Sequence, residues 1–284
     1  MSAPAPAAKS SQQPLLVVVD PAARRADGES VRIAKDVLCA RSCGPVKICL
    51  PDGPEEFARA LQRRGSRRPV VVGDDRALLR AVSVLHRERE LASSVLSLVP
   101  VGTLTRLAQG LGVPIGPVAA ASAVLDGEAR QLDLLVDDSD GVVVGDLRIP
   151  ALPTAAAAGR AHWWAPPLRT CQSLVRTLVR PVPAGASGSL GPSRLRVEAD
   201  GVTLVDLDQP VEDVSVSTSR GGFARVEVRP TSVGSAAPAL RARAQSVTVS
   251  GPDFRYRADA HTAGPVRTRT WTVRAGAWAL TLPA

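Results

Sequence analysis

Two glycine-centred turns carry the residues of this 284-residue chain whose types and spacing suit chemistry. The first is Val72-Gly-Asp-Asp-Arg76, which follows the apolar Val70–Val72 and precedes a helical pattern through Leu78, Leu79 and Val82. The second is Pro100-Val-Gly-Thr-Leu-Thr105, which follows Leu96–Val99 and precedes Leu104, Leu107, Ala108 and Leu111 at helical spacing. A helix is expected to begin at Thr103. Strand, glycine turn and helix start together aim backbone N–H groups at an anion, usually a phosphate. Gly73 and Gly102 permit close backbone approach, Thr103 adds an N–H and a hydroxyl, and Asp74 or Asp75 is placed to cap the first helix. Two such turns about thirty residues apart fall at the carboxyl ends of neighbouring parallel strands, where open α/β sheets bind ligands.

The elements that must position these turns alternate at βαβ spacing. Leu15–Val19 reads as a first buried strand, 28–41 as a helix, Val46–Leu50 as a strand, 55–64 as a helix and 77–89 as another. This alternation implies right-handed crossovers and a parallel sheet. A short helix over Val118–Leu125 and a strand over 131–136 follow, and 142–149 is expected to return as a hairpin partner. The Asp137-Asp-Ser-Asp140 turn between them reads as a solvated hairpin tip rather than half a calcium loop.

Beyond Pro150 the alternation stops. Residues 150–167 are Ala/Pro-rich around His162-Trp-Trp164, 168–179 reads as a helix, and 181–192 as a flexible connection. From Ser193 onward short strands succeed one another, with Asp200-Gly201 as a hairpin turn. Expected strands are 195–198, 203–206, 211–217, 225–228, 242–249, 254–258, 268–273 and 278–282. The fold class is therefore α/β plus β: a parallel nucleotide-binding-type domain over 14–149, a linker over 150–192, and a β-sandwich-like domain over 193–284. Residues 1–13 read as a disordered leader, not a secretory signal.

The two turns in this order, followed by Leu111-Gly-Val-Pro114, resemble the diacylglycerol kinase catalytic domain, a family that includes bacterial soluble lipid kinases and sphingosine kinases. There the motifs run Gly-Gly-Asp-Gly-Thr and Pro-x-Gly-Thr-x-Asn. The resemblance extends to Val19-Asp-Pro-Ala-Ala23, where the family has Asn-Pro-x-Ser-Gly, to Leu132-Asp-Leu134, and to a β-rich second domain. It implies ATP-dependent phosphorylation of a lipid hydroxyl, with ATP and Mg²⁺ as cofactors and a lipid such as diacylglycerol as partner. Lipid would enter the cleft between the two domains. By the same resemblance Asp74 is the catalytic base or metal organiser, and Gly73, Asp75, Arg76, Gly102, Thr103, Thr105 and Asp20 bind the cofactor. Arg257-Ala-Asp-Ala-His261 stands where the family has an Asp-Gly-Glu turn, making Asp259 a second metal ligand.

Several positions depart from the pattern. Asp75 and Arg76 replace Gly and Thr, Asp20 and Thr105 replace asparagines, and His261 replaces a glutamate. A carboxylate beside a phosphate costs roughly 1 kcal/mol or more unless neutralised, which Arg76 is able to do. Weakened turnover follows, and a non-catalytic nucleotide- or lipid-binding pseudokinase or scaffold is the alternative. Asp74 as a mere helix cap stays open beside the catalytic role. The three histidines complete no other enzyme motif.

Composition bounds the rest. With 45% hydrophobic residues the chain can bury a large core, and no apolar run approaches the length of a membrane span. The cysteines Cys39, Cys43, Cys49 and Cys171 match no zinc spacing and read as buried, reduced thiols. Net charge is +8, almost all of it arginine. The densest group, Arg59, Arg63, Arg64, Arg67 and Arg68, is either a solvated helix end or a face for an anionic membrane surface. Nucleic acid is not an expected partner, because no aromatics interleave the arginines. The expected location is cytoplasmic, with peripheral membrane contact; association into a homo-oligomer is compatible with the sequence.

Overall fold

A computed structural model describes residues 13–150, 193–219, 221–231 and 238–284. The leader before residue 13, the His162-Trp-Trp164 loop, the 168–179 helix, the 181–192 connection and Cys171 lie outside these residues. The first half builds β1 (Leu15–Val19), α1 (Pro21–Ala26), α2 (Gly28–Arg41), β2 (Val46–Cys49), α3 (Pro54–Gln62), β3 (Arg68–Gly73), α4 (Asp75–Arg87) and β4 (Val95–Pro100). The four strands pair in parallel in the order β4-β3-β1-β2. Every residue of β1 is buried because both sheet faces are covered. Leu16 and Val18 join Phe57, Leu61, Leu78 and Leu85 of α3 and α4 on one face. Leu15, Val17 and Val19 join Val31 and Leu38 of α2 and Val124 on the other.

Next come α5 (Arg106–Leu111), α6 (Pro117–Asp126), β5 (Glu128–Asp137), β6 (Val142–Val143) and β7 (Asp146–Ile149). The helix expected from Thr103 begins at Arg106, and Thr105 at its start makes no side-chain cap. The expected 142–149 hairpin partner is divided. Only β6 pairs with β5, while β7 pairs with two later strands.

The second half is antiparallel: β8 (Ser193–Arg194), β9 (Arg196–Ala199), β10 (Val202–Val205), β11 (Pro210–Ser219), β12 (Phe223–Pro230), β13 (Leu240–Ala244), β14 (Ser246–Ala258) and β15 (His261–Leu282). β9 and β10 meet at Asp200-Gly201, with φ +48° and +80°, the conformation a tight two-residue hairpin needs. The strand expected over 242–249 is broken at Gln245, where the Asp200 carboxylate accepts the N–H groups of Gln245 and Ser246. Strands expected at 268–273 and 278–282 are two ends of β15, separated by a bulge opposite β5. A second core fills this half, with Tyr256 and Trp271 edge to face at 5.1 Å.

Strand pairing joins the halves. β7 lies between β11 and β14, and the end of β15 pairs in parallel with β4 through Ala279 and Leu280. The arginine cluster is also divided. Arg64 is buried, donating to Ser94 Oγ at 2.7 Å and pairing with Glu90, and Arg68 is buried, donating to the Val124 carbonyl at 2.7 Å. Only Arg59 and Arg63 lie fully exposed. Burial was the wrong expectation for the described cysteines: Cys39 is exposed because α2 packs through Val31, Ala34 and Leu38, Cys43 is exposed in the turn after α2, and Cys49 is half-buried.

Where β15 meets β4, Ser97 Oγ donates to Thr281 Oγ1 at 2.8 Å between two buried residues. Thr281→Val strands the Ser97 hydroxyl and is expected to cost about 1–3 kcal/mol. Adding Ser97→Ala removes the orphan and is expected to restore most of the loss. Urea unfolding of the single and double variants checks this; equal stability losses in both would show that the pair does not couple.

Candidate functional site at the carboxyl edge of the parallel sheet

Glycine at 73 is demanded by packing. A Cβ there would lie 2.6 Å from Ala77 Cβ and 3.0 Å from Asp20 Cβ. The turn after β3 therefore presses on the turn after β1, and the Asp20 N–H donates to the Val72 carbonyl at 2.9 Å. Asp20 is buried. Its Oδ1 accepts from the Ala22 N–H at 2.7 Å, starting α1, and its Oδ2 pairs with Arg80 of α4. Arg80 in turn lies 5.4 Å over the Phe57 ring. Asp20 thus holds a guanidinium at the sheet edge.

Asp74 begins α4. Its Oδ1 accepts from the N–H groups of Arg76 at 3.0 Å and Ala77 at 3.2 Å, so the cap expected from sequence is present. The second turn approaches closely: a Cβ on Gly102, whose φ is +129°, would sit 3.1 Å from Asp74 Cβ and 3.9 Å from its Oδ2. Val101 N–H donates to the Gly73 carbonyl at 3.0 Å, locking the two turns side by side. Their predicted juxtaposition is observed. Thr103 is exposed beside them.

Asp75 points the other way. It is buried, and its Oδ2 and Oδ1 accept from the Leu107 and Ala108 N–H groups of α5 at 2.9 and 3.0 Å. Its own N–H donates to the Leu104 carbonyl at 2.7 Å. The helix end whose amides the sequence offers to a phosphate is filled by a carboxylate of the same chain. Burial and the neighbouring Asp74 raise the Asp75 carboxyl above its ordinary range, while the α5 amides pull it down. This carboxylate does not crowd the Gly73–Gly102 face, which removes the repulsion anticipated from its sequence position.

The turn between β14 and β15 closes the site. Asp259, at φ +49°, accepts from Val144 N–H through Oδ2 at 2.8 Å, and from Gly145 and Asp146 through Oδ1 at 2.8 and 3.0 Å. Both oxygens are engaged with backbone, so Asp259 anchors the turn. Two residues on, burial and the Arg76 and Arg80 guanidiniums depress the His261 imidazole below its ordinary pKa. His261 thus lies within the influence of Arg76 and Arg80, which favour its neutral form. Arg80 was not singled out from the sequence, although its position four residues after Arg76 puts both on one helix face. Among the described residues no group of three or more His, Cys, Asp or Glu side chains is placed to hold a metal ion, and Asp74 and Asp259 belong to none.

No family model and no curated protein matches the sequence. Solved structures do. A crystal structure described as that of a "putative diacylglycerol kinase from Bacillus anthracis str. Sterne" superposes with a TM-score of 0.71 at 13% identity, covering 96% of this chain and 98% of that one. Two more, also described as diacylglycerol kinases of that organism, give 0.69 at 14% identity and 0.65 at 12%, each covering 95% of this chain and 97% of the other. The chain shares the diacylglycerol-kinase-like fold over nearly its whole length. The α/β plus β-rich architecture expected from sequence is the architecture found.

Burial pushes the Asp259 carboxyl up to about 6, against the pull of its three N–H partners. A raised folded-state pKa means this group's contribution to stability is fully present below about 4 and is lost as pH rises through about 6. The expected loss is roughly 3 kcal/mol, at about 1.4 kcal/mol per unit. Carboxyl-carbon NMR of Asp259, with unfolding measured from pH 4 to 7, checks it; titration near the ordinary aspartate value would show that the amides prevail.

Proposed function

We propose that this chain is a lipid kinase of the diacylglycerol kinase type, transferring the terminal phosphoryl group of ATP to a lipid hydroxyl. The placement of Asp74 carries this reading. It stands at the carboxyl edge of the parallel sheet beside the Gly102 turn, with Oδ1 fixed by two α4 amides and Oδ2 outside those cap bonds. A carboxylate so oriented takes the hydroxyl proton as the oxygen attacks phosphorus and the bond to ADP breaks. Gly102, exposed beside Thr103 at the same edge, leaves backbone open to a phosphate, whereas Gly73 is buried and serves the packing of the two turns. Arg76 and Arg80, the latter held by Asp20, supply the positive charge that phosphoryl transfer needs. The lipid enters between the α/β part, residues 14–149, and the β-rich part, residues 193–284.

Mg²⁺, when bound, neutralises phosphate charge. Oδ2 of Asp74, the oxygen left out of the cap, would either hold this ion or take the hydroxyl proton; it is not free for both at once. Asp259 does not fit, since three backbone amides engage its carboxylate. With one carboxylate where two were expected, slow turnover follows. No helix among the described residues is long and apolar enough to cross a membrane. The proposed use of ATP is what leads us to place the protein in the cytoplasm, meeting lipid at the membrane surface.

One observation favours a second reading, a non-catalytic nucleotide- or lipid-binding protein. Asp74 fills the first amides of α4 and Asp75 those of α5, so both helix ends that the two turns offered to nucleotide phosphates already hold a carboxylate.

Saturable ATP binding, with diacylglycerol phosphorylated in the presence of Mg²⁺, is expected of the wild type. Asp74→Asn keeps the cap geometry but removes basicity, so turnover should fall about 10²–10⁴-fold with folding stability nearly unchanged. Unchanged turnover in Asp74→Asn would refute the base assignment. ATP binding without phosphorylation of any lipid would support the second reading.

A further inference from the structure

The opposite end of α4 carries a cavity of about 700 Å³ between the α/β part and the β-rich part. With 13 residues in α4, it lies about 20 Å along the helix from Asp74. Arg87, Arg89 and Arg274 line it, and none of the three makes an ion pair among the described residues. The acids beside them in sequence are engaged elsewhere: Glu88 accepts from Gln62 at 2.7 Å, and Glu90 pairs with Arg64. The one carboxylate in the lining, Asp140, is met by His86 Nε2 at 2.9 Å. The three arginines are solvent-exposed, Arg87 donating through Nε to the Ser83 carbonyl at 3.3 Å, and the lining adds an apolar wall with buried Leu91 and half-buried Val136 and Val273.

The backbone is shaped to make this space. β15 bulges between Arg274 and Trp278. The Asp133 carboxylate holds the bulge, accepting from Gly276 N–H at 2.9 Å and from Gly222 N–H at 2.8 Å. Such bulges redirect side chains. Arg89 follows the end of α4 at φ +57°, a left-handed position that glycine usually fills. An arginine there bears a conformational cost that glycine avoids. Attraction to the helix carboxyl end favours a cation at this place, but it does not explain Arg274, which comes from β15.

We propose that this cavity binds a phosphorylated amphiphile, its phosphate held by Arg87, Arg89 and Arg274 and its apolar portion lying on Leu91, Val136 and Val273. Guanidiniums grip phosphate through paired N–H donors, and the apolar wall adds affinity that a free phosphate cannot draw on. The site is independent of phosphoryl transfer at Asp74.

Octyl phosphate, titrated calorimetrically into the full chain, is the probe, with inorganic phosphate and octanol as controls. One octyl phosphate per chain is expected, at least tenfold tighter than either control. Arg274→Gln should weaken it about tenfold or more. Arg89→Gly should weaken it comparably while leaving the melting temperature equal or higher, since glycine suits φ +57°. Arg76→Gln, at the other end of α4, should leave octyl phosphate binding unchanged. Absence of binding, unchanged affinity in both Arg274→Gln and Arg89→Gly, or loss confined to Arg76→Gln would overturn the proposal. Equal affinity for inorganic phosphate would overturn the apolar contribution.

Discussion

The structure depends on one strand that belongs to two sheets' worth of neighbours. β15 runs from His261 to Leu282, pairing along its first part with β14 and along its last part with β5 and β4. Its end buries Trp278, Leu280 and Leu282 in the same core as Leu78 and Leu85 of α4. Its start sets His261 near Arg76 and Arg80 of that helix, two residues after Asp259 anchors the turn on 144–146. Because strand hydrogen bonds fix register residue by residue, pairing at one end determines what the other end presents. The site is complete only when chain termini far apart in sequence are joined.

A second constraint is that each helix end exposes backbone groups that must find partners. At α4 this is met locally, by Asp74 on the two amides just ahead of it. At α5 it is met from outside, by Asp75 of another helix, since Thr105 makes no cap. Adjacent aspartates thus take different duties. One faces the carboxyl edge where a reaction would occur, and the other ties α4 to α5 and holds the Gly102 turn in place. The nest of amides at 144–146 is satisfied in the same way by Asp259. The chain supplies its own carboxylates to amide clusters that would otherwise attract an anion.

The arginines sort by what surrounds them. Arg64 and Arg68 are buried with hydrogen-bond partners, Arg80 is stacked on Phe57 and paired with Asp20, and Arg89 and Arg274 line a cavity with no ion pair among the described residues. Their sequence spacing does not distinguish them. A guanidinium on a long flexible stem reaches partners set by tertiary packing.

Much of the α/β half was legible from residues alone. The apolar run Leu15–Val19, the glycines at 73 and 102 and the helix over 28–41 emerge as read, because hydrophobic period and turn chemistry act over a few residues. The likeness of fold to lipid kinases followed from that order of strands and turns. What the sequence could not supply were long-range choices: the division of 142–149 between two partners, the union of 268–273 with 278–282 into β15, and the destinations of the Asp75 and Asp259 carboxylates. Exposure of Cys39 belongs with these, since which face of α2 packs depends on its neighbours. A local pattern states which groups need burial or a hydrogen bond. Only the folded chain decides which distant residue meets that need, because the partner is brought there by packing rather than by sequence proximity.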